Sequence, residues 1–329
     1  MSGEDPTVNR LEAMVAELLG MEAAVFTCSG TQSNQMGVRT HCLPGDELLI
    51  HETGHLANFE AGGAAVLSGV TVRGIPGERG LLDVPDLEGK IRAHDQHLCH
   101  TRLVCLENTT NVGGGAAYPL EQLQRVSAWA RSHGLRLHLD GARFFNATVA
   151  RNYTPADVAA CFDTVSICFS KGLGCPMGSI LAGTAADIAR ARRIRKLFGG
   201  ALRQAGIIAA TAIYALENNV ARLAEDHQNA RRLALLLAEI PGVSIDPNEV
   251  ETNLVFFEIA PEIGTAVQLS AALRDLGVRV GASGGQRVRA VTHLDVTADD
   301  IEEAATVIAT CLARGIADRP LVGGGPYAR

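Results

Sequence analysis

Apolar positions along the chain fall into helical stripes separated by short continuous runs. Val8, Leu11, Val15, Leu18 and Leu19 recur at the spacing of one helix face, between Asp5-Pro6 and Gly20. An aspartate cap, a proline in the first turn and a closing glycine are helix limits, so the pattern predicts a helix over 6–19. Ala23-Ala24-Val25-Phe26 then reads as a buried strand, and Ser29-Gly30-Thr31-Gln32-Ser33-Asn34 as a turn that opens a second helix. Further strands are expected at 47–50, 101–106, 135–139, 163–169 and 178–183, the last antiparallel, with a helix over about 120–133 ended by Gly134. Strands alternating with helices predict an α/β fold, a mainly parallel sheet covered on both faces.

The stretch 203–238 reads as one long helix, broken by Pro241-Gly242. Beyond it the pattern changes to strands at 253–259 and 287–293 and helices over 264–276 and 298–313, a small α+β domain. The boundary is expected inside the long helix, near 219–227, giving a large domain over 1–222 and a small one over 223–320. The glycine-rich residues 321–329 are expected to be a frayed tail.

Composition narrows the class. The chain has 329 residues, 47% hydrophobic, which is ample for one large core and a smaller second one. A formal net charge of −7 with no basic stripe argues against a nucleic-acid partner. No apolar run reaches the roughly 18 residues of a membrane-spanning helix. The first residues lack the basic-then-apolar order of a secretory signal. The eight cysteines form no CxxC pair and several lie in apolar runs, so they are expected to be reduced fillers in a cytoplasmic protein.

Three polar motifs stand at predicted strand ends: Glu107-Asn108-Thr109-Thr110-Asn111, Asp140-Gly141-Ala142-Arg143 and Ser170-Lys171. Ligands of open α/β sheets bind off the carboxyl ends of strands, so these motifs define one rim. Lys171 follows Asp140 by 31 residues, one strand–helix–strand excursion. Pyridoxal phosphate chemistry uses such a pair: an amine for the cofactor aldehyde and a carboxylate for its ring nitrogen. A buried Asp–Lys ion pair, or an aspartate capping the next helix, fits the same two residues. The amides of Ser29-Gly30-Thr31 suit a phosphate, as they suit an ordinary capping turn. His55, placed in a loop by Gly54, suits stacking on a ring or moving a proton, as well as a plain surface role. His94, His97, Cys99 and His100 match no zinc spacing, and Gly113-Gly114-Gly115 lacks the strand–helix setting of a dinucleotide loop, so neither a metal nor a dinucleotide is expected.

The segments EDPTVNRLE, SGTQSN, FEAGGAAV, LENTTN, LDGARFFNA, SKGLGCPMGS, GGALRQAG, NNVARLAEDH and VRAVTHLD occur in this order. In them the chain resembles the low-specificity L-threonine aldolases, fold type I (aspartate aminotransferase-like) enzymes that use pyridoxal 5'-phosphate; the likeness extends to about Ala313. It implies a seven-stranded sheet with a small C-terminal domain, and cleavage of L-threonine, L-allo-threonine and related β-hydroxy-α-amino acids to glycine and an aldehyde. By the same resemblance Lys171 is the Schiff-base lysine, Asp140 the ring-nitrogen partner and His55 the histidine on the ring. Gly30 and Thr31 match the phosphate turn. Arg143 and Arg289 match arginines near the cofactor hydroxyl and the substrate carboxylate. Arg203 matches an arginine that reaches the phosphate of a neighbouring subunit, in a homotetramer whose active sites lie between chains.

Two departures from that family pattern carry expectations of their own. Where many members have Glu-Asn-Thr-His-Asn this chain has Thr110, so the β-hydroxyl proton falls to His55 or to bound water. Members also begin earlier, with an Arg-Ser-Asp-Thr segment whose serine helps bind the substrate carboxylate, whereas this sequence opens at Met1-Ser2-Gly3-Glu4. Either the start lies further upstream or part of the substrate site is lost. A β-eliminating lyase and a weakly active cofactor-binding protein therefore stand as alternatives.

Overall fold

Helix α1 (Pro6–Leu19) starts on Asp5, whose carboxylate accepts from the Thr7 and Val8 amides, and ends at Gly20, which takes the left-handed conformation at φ 62. These are the limits its sequence predicts. The computed structural model describes residues 3–316, so the tail expected at 321–329 and the end of the small domain, 317–320, lie outside the described residues.

Seven strands follow the alternating pattern: β1 (Ala23–Thr27), β2 (Asp46–His51), β3 (Thr71–Ile75), β4 (His100–Glu107), β5 (Arg136–Gly141), β6 (Thr164–Cys168) and β7 (Ser179–Gly183). They form one sheet in the order β1-β7-β6-β5-β4-β2-β3. The β3–β2–β4–β5–β6 pairs are parallel. β7 pairs antiparallel with β6 and with β1, as its position after the Lys171 turn suggests. The sheet is thus mainly parallel, and β4, β5 and β6 end at one edge.

The pattern missed β3. Its sequence, Thr71-Val72-Arg73-Gly74-Ile75, belongs to a half-exposed edge strand with a glycine in it, so it lacks the apolar run of a buried one. The pattern also joined two helices. Residues 206–238 form Gly206–Asn218 and Leu223–Ala238, separated at Asn219, whose side-chain amide donates to the Leu173 carbonyl at 2.8 Å. Asparagine bonds its surroundings in place of extending the helix, and the apolar positions on either side keep helical spacing regardless.

Helix α2 (Gly30–His41) begins on Ser29, whose hydroxyl accepts from the Gln32 amide at 3.2 Å. It packs along β5, β6 and β7. Leu137 and Leu139 on β5 are fully buried, each contributing roughly 1.5–3 kcal/mol. Arg136, His138 and Asp140 alternate with them, and Asp140 and His138 are buried too. A polar face buried on a central parallel strand is unusual, since such strands are normally apolar on both sides.

The chain divides into two compact units, Met1–Arg222 and the residues from Leu223 onward. The second unit carries an antiparallel sheet, β10-β11-β9-β8, from β8 (Val243–Ser244), β9 (Leu254–Ile259), β10 (Gly281–Ala282) and β11 (Arg287–Val291). Leu237, Val255, Phe257, Leu269, Val288 and Ile308 share its core. All eight cysteines are free thiols. No helix among the described residues is long and apolar enough to cross a membrane.

Candidate active site

Parallel register brings the rim together. Glu107 at the end of β4 lies opposite Asp140 on β5, and Asp140 lies opposite Ser166 on β6. The first turn of α2 closes against the same end: a Cβ on Gly30 would stand 2.5 Å from the Cys168 Sγ. Only glycine permits that approach. The Gly30 and Thr31 amides, at the start of α2, precede the helix's own hydrogen-bond ladder. Lys171 follows β6 by three residues and is half-buried. Among the described residues no hydrogen bond or ion pair engages its ammonium. Its charge and that of Asp140 both act on Glu107 and on Cys168, and Arg143 also acts on Cys168.

Glu107 anchors two loops to the sheet. Its Oε2 accepts from the His55 backbone amide and its Oε1 from the Asn111 amide, both at 3.0 Å. Burial, and then the charge of Asp140, raise the Glu107 carboxyl pKa against the pull of those bonds and of His55 and Lys171. His55 opens the short turn His55–Asn58, and its Nδ1 meets Glu60 Oε1 at 3.0 Å. With Nδ1 held there, Nε2 is the ring nitrogen left for another partner. Burial lowers the His55 pKa, but the Glu60 hydrogen bond and the charges of Asp140, Glu60 and Glu107 outweigh it, and the net shift is upward.

Asn34 on α2 ties these groups into one cluster. Its Nδ2 donates to Glu60 Oε1 at 2.8 Å and to Asp140 Oδ2 at 2.9 Å. Gln35 Nε2 donates to Glu60 Oε2 at 2.6 Å, and the Ala142 amide to Asp140 Oδ1 at 3.1 Å. Donor atoms of His55, Glu60 and Asp140 all lie within 4.8 Å of one another. Asn34 donates one hydrogen to each carboxylate, so the two are held as a pair by a shared donor.

Replacing Glu60 with glutamine removes both a charge and the charged acceptor of His55 Nδ1. The His55 pKa is then expected to fall, read by NMR titration of its ring protons. An unchanged value would mean that Asp140 and Glu107 alone set it.

The fold gathers Lys171, Asp140, Arg143, His55 and Gly30 at one rim. Arg143 is half-buried just ahead of the helix Phe144–Arg151, and Thr31 is exposed in the first turn of α2. Arg203 is exposed in the loop before Gly206–Asn218, and no hydrogen bond or ion pair among the described residues holds it. Arg289 stands half-buried on β11 of the second unit. Thr110 is 1% exposed; its amide donates to the Ala116 carbonyl and its side chain is packed against Gly80 and Gly113. Sequence reasoning gave no role to Asn34, Glu60, Glu107 or His138. The one available signal for His138 was the Arg136-x-His138-x-Asp140 alternation, which places it on Asp140's face of β5.

A family model described as "Beta-eliminating lyase" matches residues 1–260. The low specificity L-threonine aldolase of Escherichia coli (strain K12) is 42% identical over 313 residues, 95% of this chain and 91% of that protein. The low-specificity L-threonine aldolase 1 of Arabidopsis thaliana is 36% identical over 91% of this chain and 85% of its own. The solved structure of Leishmania major threonine aldolase has the same fold, with a TM-score of 0.82 at 22% identity over 94% of this chain and 91% of that one.

Proposed function

The chain belongs to the beta-eliminating lyase family and to its low-specificity L-threonine aldolase branch, and from that premise we propose that it cleaves L-threonine, L-allo-threonine and related β-hydroxy-α-amino acids to glycine and an aldehyde, using pyridoxal 5'-phosphate. The observation that carries the reading is the shared rim of Asp140, His55 and Lys171, with Lys171 free of any ion pair among the described residues.

The residues present fit the cofactor. Among the described residues Lys171 is a half-buried amine that makes no ion pair, and the buried hydroxyl of Ser166, opposite Asp140, has no hydrogen-bond partner. Lys171 would hold the cofactor through Nζ, Asp140 at the ring nitrogen, His55 beside the ring, and the Gly30 and Thr31 amides at the phosphate. When bound, pyridoxal phosphate supplies a sink for the electron pair left as the Cα–Cβ bond breaks. The other tasks fall to side chains. Arg143 offers a planar guanidinium that suits a substrate carboxylate, which orients the α-carbon; Arg289, on the second unit, carries the same group. His55 takes the β-hydroxyl proton at Nε2, directly or through a water, since a carboxylate already fixes Nδ1. Thr110, a poor base enclosed by its own loop, takes no part in that transfer.

In this reading the chain works as a cytoplasmic homotetramer, and Arg203 serves the phosphate of a neighbouring subunit. Exposed apolar side chains on the adjoining helix support an interface there: Ile207 is 79% and Tyr214 63% exposed.

The test is product analysis. Purified protein supplied with pyridoxal phosphate and L-threonine or L-allo-threonine should release acetaldehyde and glycine in equal amounts. Keto acid and ammonia would identify a β-eliminating lyase instead. Bound cofactor with no product would leave only a binding protein.

A further inference from the structure

Beneath the rim a chain of hydrogen bonds runs from Asp140 along β5 and α2 to the opposite end of the strand. Asn34 Oδ1 meets His138 Nε2 at 3.3 Å, and His138 Nδ1 meets Thr164 Oγ1 at 2.9 Å. Thr164 Oγ1 meets His41 Nε2 at 2.9 Å, and His41 Nδ1 accepts from Arg136 Nε at 3.3 Å. Arg136 ends the chain on Asp187 at 2.7 Å and Asp163 at 3.1 Å. Asn34, His41, His138 and Thr164 are buried.

The direction of every link follows from chemistry. Two carboxylates face the Asn34 amide, so its NH2 must point at them and its oxygen at His138. His138 Nε2 therefore carries a proton. Burial, opposed in part by Asp140 and Thr164, pushes the His138 pKa down to about 4, so the ring is neutral near pH 7 and Nδ1 accepts from the Thr164 hydroxyl. Having given its one hydrogen, Thr164 accepts from His41 Nε2. Burial, with Arg136, His138, Arg190 and Arg102 adding to it, holds His41 neutral, and its Nδ1 accepts from Arg136. Each donor points toward the Asp140–Glu60 pair. A reversed Asn34 would set its oxygen against both carboxylates and its NH2 against the His138 N–H.

The fold makes room for this arrangement. A Cβ on Gly37 of α2 would stand 2.5 Å from His138 Cε1, so the ring fits only beneath a glycine. Apolar residues in these positions would avoid the cost of burying polar groups, which is recovered only when every group is bonded.

We propose that His138 is a positioning residue for the site: its Nε2–H tautomer, fixed by Thr164 and His41, locks the Asn34 amide and through it the orientation of Asp140 and Glu60. The inference rests on reading Asp140 and His55 as the cofactor-facing pair, but its first test needs neither cofactor nor turnover. In nitrogen-resolved NMR of the cofactor-free protein, His138 should be neutral and protonated on Nε2. A neutral ring protonated on Nδ1 would overturn the proposal.

Variants supply the second test. In His138→Leu the Asn34 oxygen loses its donor and the amide can tilt away from Glu60, so the His55 pKa should rise and the protein should bind pyridoxal phosphate about tenfold more weakly, the effect of one lost interaction. His138→Gln, which can donate to Asn34 and accept from Thr164, should restore both. Equal effects in the two variants would mean that the ring only fills space. Should His138→Leu fail to fold, Thr164→Val keeps the ring and removes the donor to Nδ1. It should loosen the ring against Asn34 and raise the His55 pKa, and an unchanged His55 pKa would refute the lock. A protein that cleaved no threonine but passed these tests would lose the proposed activity and keep the relay.

Discussion

Lys171→Ala should lose both turnover and the covalent hold on the cofactor. The expected fall in kcat/KM is on the order of 10³-fold or more, the scale seen when a covalent or proton-transferring group is removed. Alanine has no amine to capture an aldehyde, so borohydride treatment of the variant with pyridoxal phosphate should leave no cofactor attached to the chain. The wild-type protein treated in the same way should carry the cofactor on the peptide that contains Lys171. The fold should survive, because the Lys171 ammonium makes no hydrogen bond or ion pair among the described residues whose loss would destabilise it. Unchanged thermal unfolding with lost attachment would separate chemistry from stability. Retained attachment would show that another amine holds the cofactor and would remove Lys171 from its role.

Asp140→Asn should act differently. The shape is kept and the charge removed, so Lys171 can still attach the cofactor while turnover falls by about 10²- to 10⁴-fold for want of a charged ring-nitrogen partner. A structural cost accompanies it. Asp140 Oδ2 accepts from Asn34 Nδ2 at 2.9 Å and Oδ1 from the Ala142 amide at 3.1 Å, so an amide NH2 there must face a donor. One buried donor left unmatched costs about 1–3 kcal/mol. Chemical denaturation should therefore show modest destabilisation, and absorbance should show cofactor still attached. Near wild-type kcat in this variant would mean that the carboxylate charge is not what the reaction uses.

The two variants separate the amine's task from the carboxylate's. Lys171 was legible in the sequence because its setting is local: an apolar strand, a serine, then Gly172 and Gly174. Asp140 was legible for the same reason, at the end of a short strand just before Gly141. Glu60 and Asn34 sit inside quoted motifs, FEAGGAAV and SGTQSN, but nothing local says that they touch. Asn34 and Asp140 are 106 positions apart, and His55 and Glu107 are 52 apart. The split of the long helix at Asn219 is not legible because both halves keep one period, and the Asn219 side chain bonds Leu173, 46 positions away.

Taken alone, the sequence determined the alternation of strands and helices, the limits of α1, the antiparallel β7 and the polar strand ends that form the rim. Those features depend on residues a few positions apart, through caps, periodicity and turn chemistry, and such interactions act before the chain is compact. Only the tertiary structure decided that His138 and Asp140 are enclosed under α2 and that Glu107 clamps two loops. It also decided that Asn34 stands between two carboxylates. Buried hydrogen bonds have that dependence on packing: a polar group excluded from water must take whatever partner the fold brings within about 3 Å, and that partner is set by the register of β5 and α2 rather than by its neighbours in the chain.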